Sequence, residues 1–199
     1  LQSSRSQGRK NKVIALYAVA AMTPPPKVAN TRIVLVVASF YFALTLVAVI
    51  LISFRVNAAP DFYQPSSLPG RDWLGPTSLS LSVILIVHLA SVFSVKKWRT
   101  LQKNLRDLEA LFGLLNHRQI FLIALCSGIA EELFFRGWLL NETGLIVSSL
   151  IFGAAHIPPN RAWLFWPLSA LLMGLFLGAL CLWTDTLFYA VGVHVGINF

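Results

Sequence analysis

The sequence predicts an all-α fold: a multi-pass transmembrane helix bundle of about six spans, plus one amphipathic helix on the membrane surface. Three observations lead there. Hydrophobic residues make up 56% of the 199 positions and charged residues 12%, about half the charged share of an ordinary soluble domain. The apolar residues come in runs, and "IVLVVASFYFALTLVAVILISF" (Ile33–Phe54) contains no charge; at about 1.5 Å per residue it reaches about 33 Å, enough to cross the hydrocarbon core. The basic residues, finally, flank such runs and fall almost wholly before residue 119.

The net charge of +8 therefore reads as orientation signal and headgroup contact, not as a nucleic-acid surface. Cys126 and Cys181 both lie in apolar segments, so no disulfide framework is implied and each reads as a small buried hydrophobe.

Residues 1–32 form a basic tail. "LQSSRSQGRKNK" leads into "VIALYAVAAM" (Val13–Met22), a run too short to span that stops at "TPPPK". No acid precedes Asp61, and a basic stretch before a short apolar run resembles a signal or transit peptide. Residue 1 is not a Met, so this start is expected to belong to a fragment or a misplaced beginning. Residues 33–118 are expected to hold two spans and a connector: span 1 at Ile33–Phe54, a Pro/Gly-rich loop at Arg55–Pro76, and span 2 at about Thr77–Val95, ending in "KKWR" (Lys96–Arg99). With Lys and Arg inside, the tail and residues 96–118 face the cytoplasm and the loop lies outside. In that inner segment Leu101, Leu105, Leu108, Leu111, Phe112 and Leu115 recur at spacings of three and four, opposite Lys103, Arg106, Asp107 and Glu109. This is the pattern of a surface-lying amphipathic helix.

Residues 119–199 are expected to form the catalytic transmembrane core. Span 3 runs over about Gln119–Leu140, span 4 over Gly144–Ile157 up to "PPNR", span 5 over about Ala162–Thr184, and span 6 from near Thr186 to the last residue, Phe199. Span 5 is rich in Gly and Ala, which suits close helix packing. No repeat is evident and no soluble domain is left over.

Span 3 contains "GIAEELFFRGW" (Gly128–Trp138). Each charge at a helix centre costs roughly 2.5–3.5 kcal/mol on an insertion scale, so these must be paired or line a wet cavity. Glu132 and Arg136 are four residues apart, acid first, and can neutralise each other on one helix face. Glu131 lies about 100° around the helix from Glu132, beside the small Ser127 and Gly128, without a cation of its own; a second carboxylate near a first suits a general base. "FGAAH" places Phe152 and His156 one turn apart on span 4, and "HVGIN" places His194 and Asn198 one turn apart on span 6. A lone histidine is more often a satisfied core residue, and His88 and His117 get that reading. His156, His194 and Asn198, however, come from helices that must pack near span 3 in a small bundle. A carboxylate, two imidazoles and a carboxamide are a complete set for peptide hydrolysis: one activates water and others donate to the developing oxyanion.

These three blocks, Glu131–Arg136, Phe152–His156 and His194–Asn198, resemble the CaaX-protease and bacteriocin-processing (CPBP) family of intramembrane glutamic endopeptidases, which includes the Ras-converting CaaX endopeptidase. Its pattern is Glu-Glu-x-x-x-Arg, Phe-x-x-x-His, then His-x-x-x-Asn or Asp, each on its own transmembrane helix. The resemblance implies that Glu131 activates the water with help from His156, that His194 and Asn198 form the oxyanion hole, and that Glu132, Arg136 and Phe152 orient the site. Family members usually continue the last helix past the point where this chain stops. The implied partners are a peptide or protein substrate, membrane-anchored ones included, and the lipid bilayer, with no nucleic acid, no cofactor and no metal. The compact length leans toward a bacterial plasma membrane. Two rivals stand beside this reading. One is a zinc-dependent membrane protease, for which the His-Glu-x-x-His pairing on one helix is absent. The other is a non-catalytic membrane immunity factor, scaffold or ion pathway, since intramembrane carboxylates and histidines also serve proton relays. No residue is assigned to recognising a prenyl group.

Overall fold

The computed structural model describes residues 27–54, 73–112, 115–157 and 165–199. The expectations for the tail through residue 26, for "VIALYAVAAM", for most of the Arg55–Pro76 loop and for "PPNR" lie outside the described residues. Helix α1 is Lys27–Ser53, α2 is Leu74–Lys97 and α3 is Arg99–Phe112. The chain continues as α4, His117–Glu132, a π-helical segment, Leu133–Leu139, and α5, Leu140–Ala155. Helices α6, Phe165–Thr184, and α7, Phe188–Asn198, complete an all-helical bundle. Among the described residues three stretches are long and apolar enough to cross a membrane: Thr31–Ser53 in α1, Leu74–Lys97 and Phe165–Thr184.

Burial is inverted relative to a soluble domain. Phe42, Leu85 and Leu172 are 66%, 59% and 60% exposed, whereas Glu132 and Arg136 are 0% and 2% exposed. A surface of large apolar side chains around an interior that also buries a carboxylate and a guanidinium is suited to lipid. The protein is an integral membrane protein.

Several hydroxyls are satisfied inside their own helices: Thr45 Oγ1 donates to the Tyr41 carbonyl at 2.9 Å and Ser149 Oγ to that of Leu145 at 2.7 Å. This is the usual solution where no water is at hand.

Four structural features carry the site. Helix α4 starts on a reciprocal cap, in which the Asn116 side chain accepts from Gln119 N–H and the Gln119 side chain accepts from Asn116 N–H, each at 3.0 Å, so two orphan donors are met. In the π segment the Leu140 N–H bonds the Phe135 carbonyl, five residues back instead of four. Such a widened turn re-aims the side chains on either side of it. Helix α5 is broken by a kink at Gly144, whose φ of 77° is open to glycine and strained for other residues; the expected boundary between spans 3 and 4 falls there. Finally, α5 and α6 approach closely through small residues: a Cβ on Gly153 would meet Leu171 Cβ at 2.9 Å and the Pro167 carbonyl at 3.1 Å, and one on Gly174 would meet Ser149 Cα at 3.2 Å.

Helix α1 packs along α4 and the π segment, α7 packs between α4 and α2, and α3 folds back against α2, where Gln102 Nε2 donates to the Val95 carbonyl at 2.9 Å. The expected amphipathic helix is α3; it ends at Phe112, short of Leu115. Lys103 and Arg106 are exposed on it, while the side chains of Asp107, Leu108, Glu109, Leu111 and Phe112 lie outside the described residues.

Candidate active site

The π segment, the end of α5 and the length of α7 converge on two adjacent carboxylates. Glu132 is fully buried and doubly engaged. Arg136 NH1 donates to its Oε1 at 2.6 Å, and His194 Nδ1 lies at 2.6 Å from the same oxygen. Arg136 also donates from NH2 to the Gly174 carbonyl at 3.3 Å, and its guanidinium carbon stacks 4.3 Å from the centre of the Phe152 ring. Phe152 in turn meets the edge of Phe135, with ring centres 4.8 Å apart. The guanidinium is thus fixed by an anion, a carbonyl and a π face, each of which lowers the cost of keeping it in an apolar bundle.

Glu131 has a different environment. Its Oε2 lies 3.7 Å from His156 Nε2 and 3.8 Å from His194 Nε2, too far in each case for a direct hydrogen bond. That Oε2 atom has no hydrogen-bond partner among the described residues, although it is shielded from solvent. The tautomer of His156 follows from its other nitrogen: Nδ1 is 2.7 Å from the Phe152 carbonyl, an acceptor only, so Nδ1 carries the proton and donates. In its neutral form His156 therefore turns the Nε2 lone pair toward the carboxylate.

Asn198, exposed near the end of α7, donates from Nδ2 to Ser127 Oγ at 3.0 Å. Ser127 spends its own proton on the Ala124 carbonyl at 3.1 Å, so it can meet Asn198 only as an acceptor. That fixes which end of the carboxamide is the donor end and leaves its second N–H available.

Two cavities meet at this cluster. One, of about 500 Å³, is bordered by Tyr41, Glu131, Phe134, His156 and Trp166. The other, of about 460 Å³, lies between α2, α3, α6 and α7 and reaches His156, His194 and Asn198. Glu131 opens into the first, the two donors on α7 into the second, and His156 borders both.

All seven expected site residues lie in this one region: Glu131, Glu132, Arg136, Phe152, His156, His194 and Asn198. His88 and His117 are exposed on other faces. Cys126 and Cys181 are unpaired thiols, the second buried. Among the described residues no three His, Cys, Asp or Glu side chains are grouped so as to hold a metal ion. Sequence reasoning did not foresee the second bond of Glu132, to His194, nor that Ser127 anchors Asn198. Ser127 carried a signal, being one turn before Glu131, but it reads equally as a small residue that makes room. Tyr41 carried none, standing within an uninterrupted apolar run.

Residues 113–199 match a family model described as type II CAAX prenyl endopeptidase, Rce1-like. This stretch, less than half of the chain, is similar to that family. The match takes in all three motif blocks and leaves α1, α2 and α3 outside it. The CaaX endopeptidase domain is that of a membrane endopeptidase, which agrees with the apolar exterior and with a polar cluster set among helices. No curated protein and no solved structure matches the chain.

Proposed function

We propose that the protein is a multi-pass membrane endopeptidase in which Glu131 is the general base for a water molecule and His194 and Asn198 form the oxyanion hole. One observation carries the reading: of two adjacent buried carboxylates, Glu132 is bonded to Arg136 and His194, while Glu131 Oε2 faces two imidazole nitrogens without bonding either. A separation of 3.7 Å between two acceptors suits a shared water that gives one proton to each. Residues 119–199 would be the catalytic core, and α1 and α2 would be walls of the two cavities.

In the step that follows, Glu131 takes a proton from that water as its oxygen bonds to the scissile carbonyl carbon. The carbonyl oxygen becomes an oxyanion and accepts from His194 Nε2–H and the second Asn198 N–H. This role requires His194 to carry protons on both nitrogens, and the imidazolium together with Arg136 balances the two carboxylates. On collapse the C–N bond breaks and the proton on Glu131 passes to the leaving amine, giving an acid and an amine. Glu132, Arg136 and Phe152 hold His194 and the carboxylates in place. From the description of the family, the substrate class is a prenylated CaaX-type peptide.

The test is cleavage of an internally quenched farnesylated CaaX peptide by the purified full chain in lipid nanodiscs. General-base catalysis contributes about 10²–10⁴-fold, so Glu131→Gln is expected to lose at least that much while its circular dichroism stays native. A folded, active Glu131→Gln protein would sink the assignment. Equal cleavage of the unprenylated peptide would remove the prenyl part of the proposal and leave the mechanism.

A further inference from the structure

We propose that Tyr41, on α1, is a positioning residue of this site: its phenol O–H donates to the Glu131 carboxylate and holds it in the orientation that presents Oε2 to the imidazoles. The proposal rests on the reading of Glu131 as the base and adds a residue from outside the stretch matched to the family.

Glu131 Oε2 lacks a donor among the described residues. An ionised carboxylate can only accept hydrogen bonds, and a buried one without donors is costly. The titratable groups beside it are His156 at the end of α5, His194 on α7 and Tyr41 on α1, and Cys126, Glu132 and Arg136 share its helical run. Arg136 is committed to Glu132 and the Gly174 carbonyl. His156 and His194 each spend one nitrogen elsewhere, and their Nε2 atoms stay 3.7 and 3.8 Å from Glu131. Glu132 can only accept, and a thiol is a weak donor.

Helix α1 supplies what is missing. It packs along α4 and the π segment, which sets Tyr41 in the wall of the same cavity that Glu131 and His156 border. The ring is half-buried and braced edge-on by Phe40, with ring centres 5.2 Å apart. A neutral O–H donor adds no charge to a cluster that is already balanced, and it leaves both imidazoles free for water and oxyanion. In an apolar bundle such a bond also stops the Glu131 side chain from rotating toward Arg136, where it would be lost as a base.

Tyr41→Phe keeps the ring and removes only the donor. Two readouts on the full chain in nanodiscs separate positioning from packing. The first is kcat and KM with the farnesylated quenched peptide. A hydrogen bond to a charged group that only orients it should lower kcat by about 10- to 100-fold with KM held within about twofold. The second is the infrared carboxylate band of Glu131, isolated by subtracting the spectrum of Glu131→Gln; it should move in Tyr41→Phe because the carboxylate loses a donor. An unmoved band, an unchanged kcat, or a rise in KM alone overturns the proposal. If Glu131→Gln proves as active as the parent, the reading of Glu131 fails separately, and the infrared band alone still decides whether the phenol holds the carboxylate.

Discussion

Replacing Arg136 by Met removes the cation from a pair whose side chains are 3% and 0% exposed. Met keeps much of the length and the apolar contact with Phe152, so the change isolates the charge. Three interactions go with it: the 2.6 Å bond to Glu132, the 3.3 Å bond to the Gly174 carbonyl, and the stack on Phe152. The largest consequence is the anion left behind. Removing one partner of a buried pair costs about 3–5 kcal/mol, because the other charge stays buried without compensation. His194 offsets part of this through its own 2.6 Å bond to Glu132, so the lower half of the range is expected, two to three powers of ten in the unfolding equilibrium at about 1.4 kcal/mol each. The diagnostic variant is the double, Glu132→Gln with Arg136→Met. It removes both charges and keeps an acceptor for His194, and it should be more stable than Arg136→Met alone by about 1–3 kcal/mol. The assay is unfolding of the purified proteins in mixed micelles, followed by circular dichroism. If the double variant is destabilised by the plain sum of the two single changes, to within about 0.5 kcal/mol, the pair is not coupled and the argument from burial is wrong.

Ser127→Ala takes away the acceptor that orients the Asn198 carboxamide. A lost neutral hydrogen bond of about 1 kcal/mol should appear as a roughly fivefold fall in kcat with KM held; a fall in thermal stability alone, with kcat intact, would deny Asn198 its place in the oxyanion hole. Two glycines make a matched pair for the helix packing. Gly153→Ala drives a methyl into Leu171 and the Pro167 carbonyl and should cost about 1–3 kcal/mol as α5 is pushed off α6. Gly192→Ala meets nothing within 4 Å and, inside α7, should leave the protein as stable as the parent or up to about 1 kcal/mol more stable. Equal melting temperatures for the two would refute the close approach.

The sequence by itself determined the membrane class, the order of the helices and the pairing of Glu132 with Arg136. Each is a local or compositional matter: an unbroken apolar run has one favourable solvent, and two opposite charges one turn apart have no cheaper partner. The break at Gly144 was legible for the same reason, since a turn must fall between two apolar runs and glycine admits the positive φ. Leu115 shows the limit of periodicity, because its spacing continued the amphipathic pattern while the helix stopped at Phe112. The π segment left no trace in the sequence. Glu132 and Arg136 meet across it despite the changed winding, because a long guanidinium side chain tolerates the shift.

Only the tertiary structure decided what each carboxylate faces. His194 is 62 residues from Glu132, and no spacing rule could say that its two nitrogens would point at different glutamates. Asn198 and Ser127, 71 residues apart, are joined by the packing of α7 on α4. Tyr41 reaches the site because α1 lies along α4, and its phenol means nothing until that contact exists. Residue type and local spacing fix which groups can ionise and pair within one helix. Which lone pair meets which proton across the bundle depends on how the helices close on one another, and that is set by small residues and apolar side chains that carry no chemistry of their own.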